Sequence, residues 1–295
     1  MIVNGIIVKS IADLYEVKTE NGILPCKARG LFRKSGVTPL VGDRVTAIPT
    51  ADGEGRIEEI LPRKNFMERP SVANIDRLYL IVSATDPAPV PLMIDRLTAL
   101  AFEKEIQPVL VLTKTDLADV SWLIDIYKTV PMPIITACAA TGHGCDALKE
   151  SLSQSGISVL TGNSGVGKSS LLNRVDPNLA LATGETSKKL GRGKHTTRHT
   201  ALYALGEGLV ADTPGFSSLD MERVMWIYKE NLVFDFPEFL PFAKECRFAD
   251  CKHVGEKDCG VATAVQSGQV SQSRLDSYRL MYKEADAIKD WQRKK

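Results

Sequence analysis

A multidomain α/β fold is predicted for this chain: a small N-terminal β-barrel of the OB type, a central α/β domain built around a phosphate-binding loop, and a small helical C-terminal domain stapled by a metal. Three observations predict it. Residues 1–68 hold only short strand-like runs separated by turn signals. From about residue 71 strands and helices alternate, and beyond about residue 222 the strands stop and cysteines cluster around a histidine. The 295 residues allow two or three domains. An apolar fraction of 44% with 25% charged residues is that of an ordinary globular protein. A net charge of +1 argues against coating nucleic acid by bulk charge, although local basic patches exist. No apolar run approaches the ~20 residues that span a bilayer. Met1-Ile2-Val3-Asn4-Gly5 has no secretory n-region or h-region, so a cytoplasmic location is expected.

In the first domain the strand-like runs are Gly5–Lys9, Leu14–Lys18, Ile23–Ala28, Asp43–Ile48 and Arg56–Ile60, with turn signals at Glu20-Asn21-Gly22 and Asp52-Gly53-Glu54-Gly55. Five short strands suit an OB barrel, and an SH3-like barrel stays open as the alternative. The basic stretch Arg29–Leu40 (with Arg33 and Lys34) reads as an RNA-contacting loop. In the second domain, 71–221, Arg77–Ser83 reads as a buried strand and Leu92–Glu105 as a helix. Pro108–Leu112 and Pro133–Thr136 are further strands, and Asp146–Leu152 a helix. Ile157–Leu160 is a strand leading into a glycine-rich loop, and Lys168–Val175 continues as helix. Ala201–Leu205 and Gly208–Ala211 form a strand pair ending in Asp212. This alternation indicates a parallel sheet with its sites at the strand C-termini. The third domain, 222–295, carries an aromatic-rich segment, the Cys/His cluster and a polar helix from about Gln272 to Trp291.

The glycine-rich loop carries the most specific chemistry. Gly162-Asn163-Ser164-Gly165-Val166-Gly167-Lys168-Ser169, followed by Ser170, sits between a strand and a helix, the setting a phosphate loop requires. Its backbone N–H groups and the helix N-terminus face the phosphates. Lys168 neutralises the β- and γ-phosphates and acts catalytically in that sense, while the Ser169 hydroxyl coordinates Mg²⁺. Asp212-Thr213-Pro214-Gly215 ends a later apolar strand. Asp212 is expected to hold Mg²⁺ through water, and the Gly215 N–H to sense the γ-phosphate. Between them, Gly193-Lys194-His195-Thr196-Thr197-Arg198 resembles a switch segment that gives Mg²⁺ a threonine, with Thr197 favoured and Thr196 the alternative.

Thr113-Lys114-Thr115-Asp116 reads as the base selector. A carboxylate at Asp116 accepts from both N1–H and the 2-amino group of guanine, a donor pair adenine lacks, so GTP is expected over ATP. Lys114 packs its stem along the base. The commonest first residue of this motif is Asn, and Thr113 in its place removes an amide that often braces the site. Cys138-Ala139 stands where Ser-Ala is usual, with the Ala139 N–H in reach of guanine O6. Phe216 follows Gly215 where many GTPases carry a water-orienting Gln, so slow intrinsic hydrolysis and acceleration by a partner are expected. His195 is the polar candidate for orienting that water; a histidine facing solvent or RNA is the competing reading. The base selector precedes the phosphate loop in the chain, the reverse of the usual order, which makes this a circularly permuted GTPase domain. Asp116 speaks against a kinase or ATPase, and intact Lys168, Ser169 and Asp212 speak against an RNA-binding protein with a decayed nucleotide domain.

Cys246, Cys251, His253 and Cys259 supply three thiolates and an imidazole at Cys-x₄-Cys-x-His-x₅-Cys spacing. That is a closed set for one structural, tetrahedral Zn²⁺, with no position left for catalysis.

Together the barrel, the permuted order, Asp212-Thr213-Pro214-Gly215-Phe216 and the Cys₃His cluster resemble the RsgA (YjeQ) family of ribosome small-subunit-dependent GTPases. Arg69-Pro70-x-x-Ala73-Asn74-Ile75-Asp76, Asp95-Arg96 and Arg274-Leu275-x-Ser277-Tyr278 add to the resemblance, which covers nearly the whole chain. It implies a monomeric late assembly factor of the bacterial 30S subunit that contacts 16S rRNA near the decoding region. Such a factor binds GTP or GDP, hydrolyses GTP when the subunit stimulates it, and departs. A rival with the same sites is a nucleotide-regulated translation factor acting away from the small subunit.

Overall fold

The computed structural model describes residues 2–28, 32, 37–68, 70–179, 200–212 and 227–288. Most of the basic loop at 29–36, the basic segment with His195, Thr196 and Thr197, the segment from Thr213 to Phe216, Arg69 and Trp291 lie outside the described residues, as does the Asp212 side chain.

Five strands open the chain: β1 (Val3–Ile11), β2 (Leu14–Thr19), β3 (Gly22–Ala28), β4 (Arg44–Pro49) and β5 (Gly55–Ile60). A short hairpin follows, β6 (Phe66–Met67) and β7 (Val72–Ala73), then β8 (Arg77–Ser83) and α1 (Pro91–Glu103). Next come β9 (Gln107–Thr113), α2 (Ser121–Tyr127), β10 (Ile134–Ala137), α3 (Cys145–Ser153), β11 (Gly156–Thr161) and α4 (Lys168–Val175). The antiparallel pair β12 (Ala201–Leu205) and β13 (Gly208–Asp212) follows. The C-terminal segment holds α5 (Leu240–Ala243), α6 (Gly260–Gln266) and α7 (Gln272–Asp286). Packing divides the chain into two compact units, each made of separate stretches.

The first unit comprises Met1–Tyr79, Cys145–Thr161 and Lys168–Gly215. Its strands run in the order β11-β13-β12-β1-β2-β3-β5-β4, and β4 returns to pair with β1. β1 to β5 therefore close into a five-stranded barrel, with β3 and β5 parallel and the other pairs antiparallel. This closure fits the expected OB type. Alternation along the strands turns Ile7, Tyr15, Val17, Cys26, Val45, Ala47 and Ile57 into the buried interior. Register shifts at Ile7/Lys9 and at Thr46/Ala47 bend β1 and β4, which lets so few strands close. The Ala73–Asp76 stretch sews the barrel to the rest of the unit. Asn74 donates to the Gly42 carbonyl at 2.9 Å, and the Asp76 carboxylate and backbone N–H bracket Ile157 of β11 at 2.7 and 2.8 Å.

The second unit comprises Leu80–Gly144, Gly162–Gly167 and Phe216–Lys295. Its strands order β10-β9-β8, with β10 and β9 parallel. Leu110, Val111 and Leu112 of β9 are wholly buried, the continuous apolar run of a strand covered on both faces. Its other core gathers Phe236, Phe239, Leu275, Tyr278 and Met281 with Ala99 of α1. Phe236, Phe239 and Tyr278 sit with ring centroids 5.2–5.4 Å apart.

Candidate nucleotide site and metal centre

β9 ends at Thr113 and the chain turns sharply, Lys114 adopting φ 56°. Thr113 is 3% exposed, and its hydroxyl donates to the Val166 carbonyl of the phosphate loop at 2.7 Å. A short hydroxyl thus does the bracing that the missing amide was expected to leave undone. The Lys114 ammonium donates to the Asp86 carbonyl. Asp116 receives the Cys138 thiol at Oδ1, 3.1 Å away. Cys138 lies just past the end of β10, and its own carbonyl accepts from the Gly142 N–H at 2.8 Å, closing the turn that presents Ala139. Gly144 is required next: at φ 68°, a Cβ there would lie 1.8 Å from the Thr136 carbonyl.

The phosphate loop leaves β11 at Gly162, whose φ of 152° and approach to Ile81, with a Cβ 2.3 Å from that carbonyl oxygen, exclude any side chain. Gly165 and Gly167 also take positive φ. Lys168, Ser169 and Ser170 open α4, and Lys168 is buried. Within the second unit the structure therefore brings together Thr113, Asp116, Cys138 and Val166. Neither the Thr113–Val166 bond, which joins residues 53 positions apart, nor the thiol on Asp116 had any signal in the sequence.

Cys246, Cys251, His253 and Cys259 bring their ligand atoms within 4.8 Å of one another. The three sulfurs lie 3.5, 3.6 and 3.4 Å from His253 Nδ1. A tetrahedral ion with Zn–S ≈ 2.3 Å and Zn–N ≈ 2.0–2.1 Å requires about 3.6 Å between sulfur and nitrogen, so the donor set fits zinc. Burial pushes the Cys251 thiol up to about 12 and the His253 imidazole below its usual value. A divalent ion would reverse the thiol preference by binding thiolate. Sequence reasoning missed Glu256, whose carboxylate accepts from the N–H groups of Lys252 and Val254 at 2.8 Å and of Gly255 at 3.1 Å, shaping the loop around His253. The Gly260 N–H points at Cys246 Sγ from 3.2 Å, as suits a thiolate.

Fold and loops define the class: a GTPase with a phosphate loop, in which the base selector precedes that loop. A sequence model of the RsgA GTPase matches residues 60–222, and one of the RsgA N-terminal domain matches residues 4–57. A "Small ribosomal subunit biogenesis GTPase RsgA" from Geobacillus thermodenitrificans is 42% identical over 93% of this chain and 94% of its own length. One of the same name from Alkaliphilus metalliredigens is 43% identical, covering 94% and 96%. Among solved structures, YjeQ from Thermotoga maritima superposes with a TM-score of 0.84 at 36% identity, covering 98% of this chain and all of that one (100%). YloQ, described as a circularly permuted GTPase, gives 0.80 at 32% identity, covering 98% and 96%. The chain belongs to the RsgA GTPase family.

Proposed function

We propose that this protein binds the 30S ribosomal subunit and assists its late maturation, hydrolysing GTP to GDP and phosphate under stimulation by the subunit. The names of the relatives support the partner, and the guanine selector braced against the phosphate loop supports the nucleotide. In this reading residues 1–68 contact 16S rRNA, 71–221 bind and cleave the nucleotide, and 222–295 form a zinc-held helical domain. Asp116 selects guanine, held in aim by the Cys138 thiol, and Lys114 and Ala139 complete the base pocket. Gly162–Ser170 cradle the phosphates through backbone N–H groups, with Lys168 offsetting their charge. Ser169, Thr197 and Asp212 hold Mg²⁺, which supplies charge neutralisation on the phosphates, and Gly215 reports the γ-phosphate. Phe216 orients no water, so turnover is slow until the subunit arrives, with His195 the residue assigned that role. The protein acts in the cytoplasm as a monomer; among the described residues no helix is long and apolar enough to cross a membrane.

Hydrolysis of GTP and ATP with and without purified 30S subunits tests this. GTP-only turnover strongly stimulated by 30S is the expected result. GTP turnover indifferent to 30S would move the partner elsewhere, and no turnover at all would leave an RNA-binding protein. His195→Ala is expected to lower stimulated turnover at saturating GTP; an unchanged rate removes His195 from catalysis.

A further inference from the structure

Asp95-Arg96 and Arg274-x-x-x-Tyr278, sequence features with no part in the nucleotide site, lie on two packed helices of the second unit, and Asp95 and Arg274 meet there in one buried cluster. Arg274 is wholly buried, donating from Nη1 to Asp95 Oδ1 and from Nε to Glu238 Oε1, both at 2.7 Å. Its guanidinium lies 4.3 Å over the Phe236 ring and 5.9 Å from that of Tyr127. Two carboxylates meet one cation here, and Arg274 Nη2 and Glu238 Oε2 make no hydrogen bond among the described residues. As a source of stability alone this is a poor design, because apolar residues of similar volume commonly serve a buried ionic site as well or better. What the cluster does supply is a fixed register between particular elements.

Those elements are informative. Asp95 lies on α1, which leads into β9, and Tyr127 lies on α2, which follows the base selector. The Tyr127 hydroxyl donates to the Pro91 carbonyl at 3.1 Å, so the helices before and after Thr113–Asp116 are tied together where Arg274 touches both. Arg96 adds a second tether to α7, donating to both oxygens of Glu284 at 2.6 and 2.8 Å. One turn beyond Arg274 on α7, the Tyr278 hydroxyl donates to the Lys252 carbonyl at 3.1 Å and Arg279 Nε to the His253 carbonyl at 3.3 Å. α7 thus grips the metal loop at the backbone of a ligand residue and, through Arg274, both helices that flank the guanine selector.

We propose that Arg274 is a positioning residue for guanine recognition, acting through Asp95 and Tyr127, and that through it zinc at the Cys₃His centre strengthens guanine-nucleotide binding. This rests on the GTPase reading above. The full-length protein is titrated with a fluorescent GDP analogue, once zinc-loaded and once stripped by a chelator under reducing conditions. Stripping is expected to weaken binding at least about fivefold, the low end of typical couplings, and bound GDP is expected to strengthen zinc retention by the same factor. In the triple variant Asp95→Leu/Glu238→Leu/Arg274→Met, which removes the charges together, the GDP affinity is expected to lose its response to zinc. Arg274→Lys, which keeps the charge but lacks the fork that spans both carboxylates, serves if the triple variant does not fold, and is expected to lose most of the response. A purely structural role would lower the melting temperature and leave the zinc response intact. Wild-type affinity indifferent to zinc, or a full response in a folded variant, overturns the coupling. Zinc-loaded wild type that binds no GDP overturns the guanine reading itself.

Discussion

The N-terminal barrel and the C-terminal segment solve the same problem by opposite means. The barrel is held by its backbone: every strand pairs on both sides, and its interior is apolar. Its ion pairs Lys9–Glu16 and Lys27–Glu54 are about half open to water, Arg56–Glu58 is open on the arginine side only, and one pair, Arg63–Asp43, is sheltered, with Asp43 wholly buried. The C-terminal segment has no strand among its described residues. It joins its helices through one aromatic cluster, a wholly buried arginine and four Cys and His side chains placed so that they could hold a metal ion. Where the chain closes on itself by hydrogen-bonded strands, one sheltered ion pair accompanies a framework that the backbone already holds. Where it cannot, a few polar groups fix the joints, and losing one partner alone is costly.

Removing the metal should separate the two regions most sharply. Structural zinc contributes on the order of 10 kcal/mol of apparent binding free energy in small domains. Cys259→Ala is therefore expected to leave residues 227–288 protease-sensitive and the barrel intact, as limited proteolysis with mass analysis will show. Next is Arg274→Ala, which strands two buried carboxylates and is expected to cost about 3–5 kcal/mol in denaturant unfolding of the full chain. A smaller effect depends on pH. Burial, and then the charge and hydrogen bond of Glu103, push the Asp235 carboxyl up to about 8. The native state keeps a proton that the unfolded chain releases near pH 4. The resulting stability is complete below that pH and is lost as pH rises towards 8. Asp235→Asn should flatten that slope and raise stability at pH 8 by a few kcal/mol, since each tenfold change in proton affinity is worth ~1.4 kcal/mol. Denaturant midpoints at pH 5 and pH 8 read the difference. Smallest is Lys9→Ala on the barrel, expected to cost ~0.2–1 kcal/mol and less in high salt. A cost near that of Arg274→Ala would undo the contrast.

The same contrast governs what was legible in the sequence. Strand alternation is local, so the five barrel runs emerge within about two residues of their ends, and Arg77–Ser83 matches β8 at both. The expected helix Leu92–Glu105 stops at Glu103 because Glu105 turns to φ 54°. α2 was missed: it spans seven residues and buries only Leu123 and Tyr127, too little for a periodic signal. The phosphate loop and the Cys₃His set were readable because backbone geometry and ligand number fix their spacing. Arg274 was not. In a polar helix an arginine reads as solvent-facing, and no local pattern announces that carboxylates 179 and 36 residues away converge on it. Thr113 and Cys138 were found by motif position, but their bonds to Val166 and Asp116 depend on the tertiary fold.

Besides β2 and β4, β1 pairs with β12 through Lys9 and Ala201. A ribosome delivers residues in order, so all five barrel strands emerge well before β12 exists. Until then only the Lys9 end of β1, past its last β4 partner at Ile6, lacks that neighbour, and such open strand edges are where nascent chains associate wrongly. A charged lysine at the point of attachment disfavours such pairing, a consequence for synthesis that its half-exposed ion pair in the finished protein does not reveal.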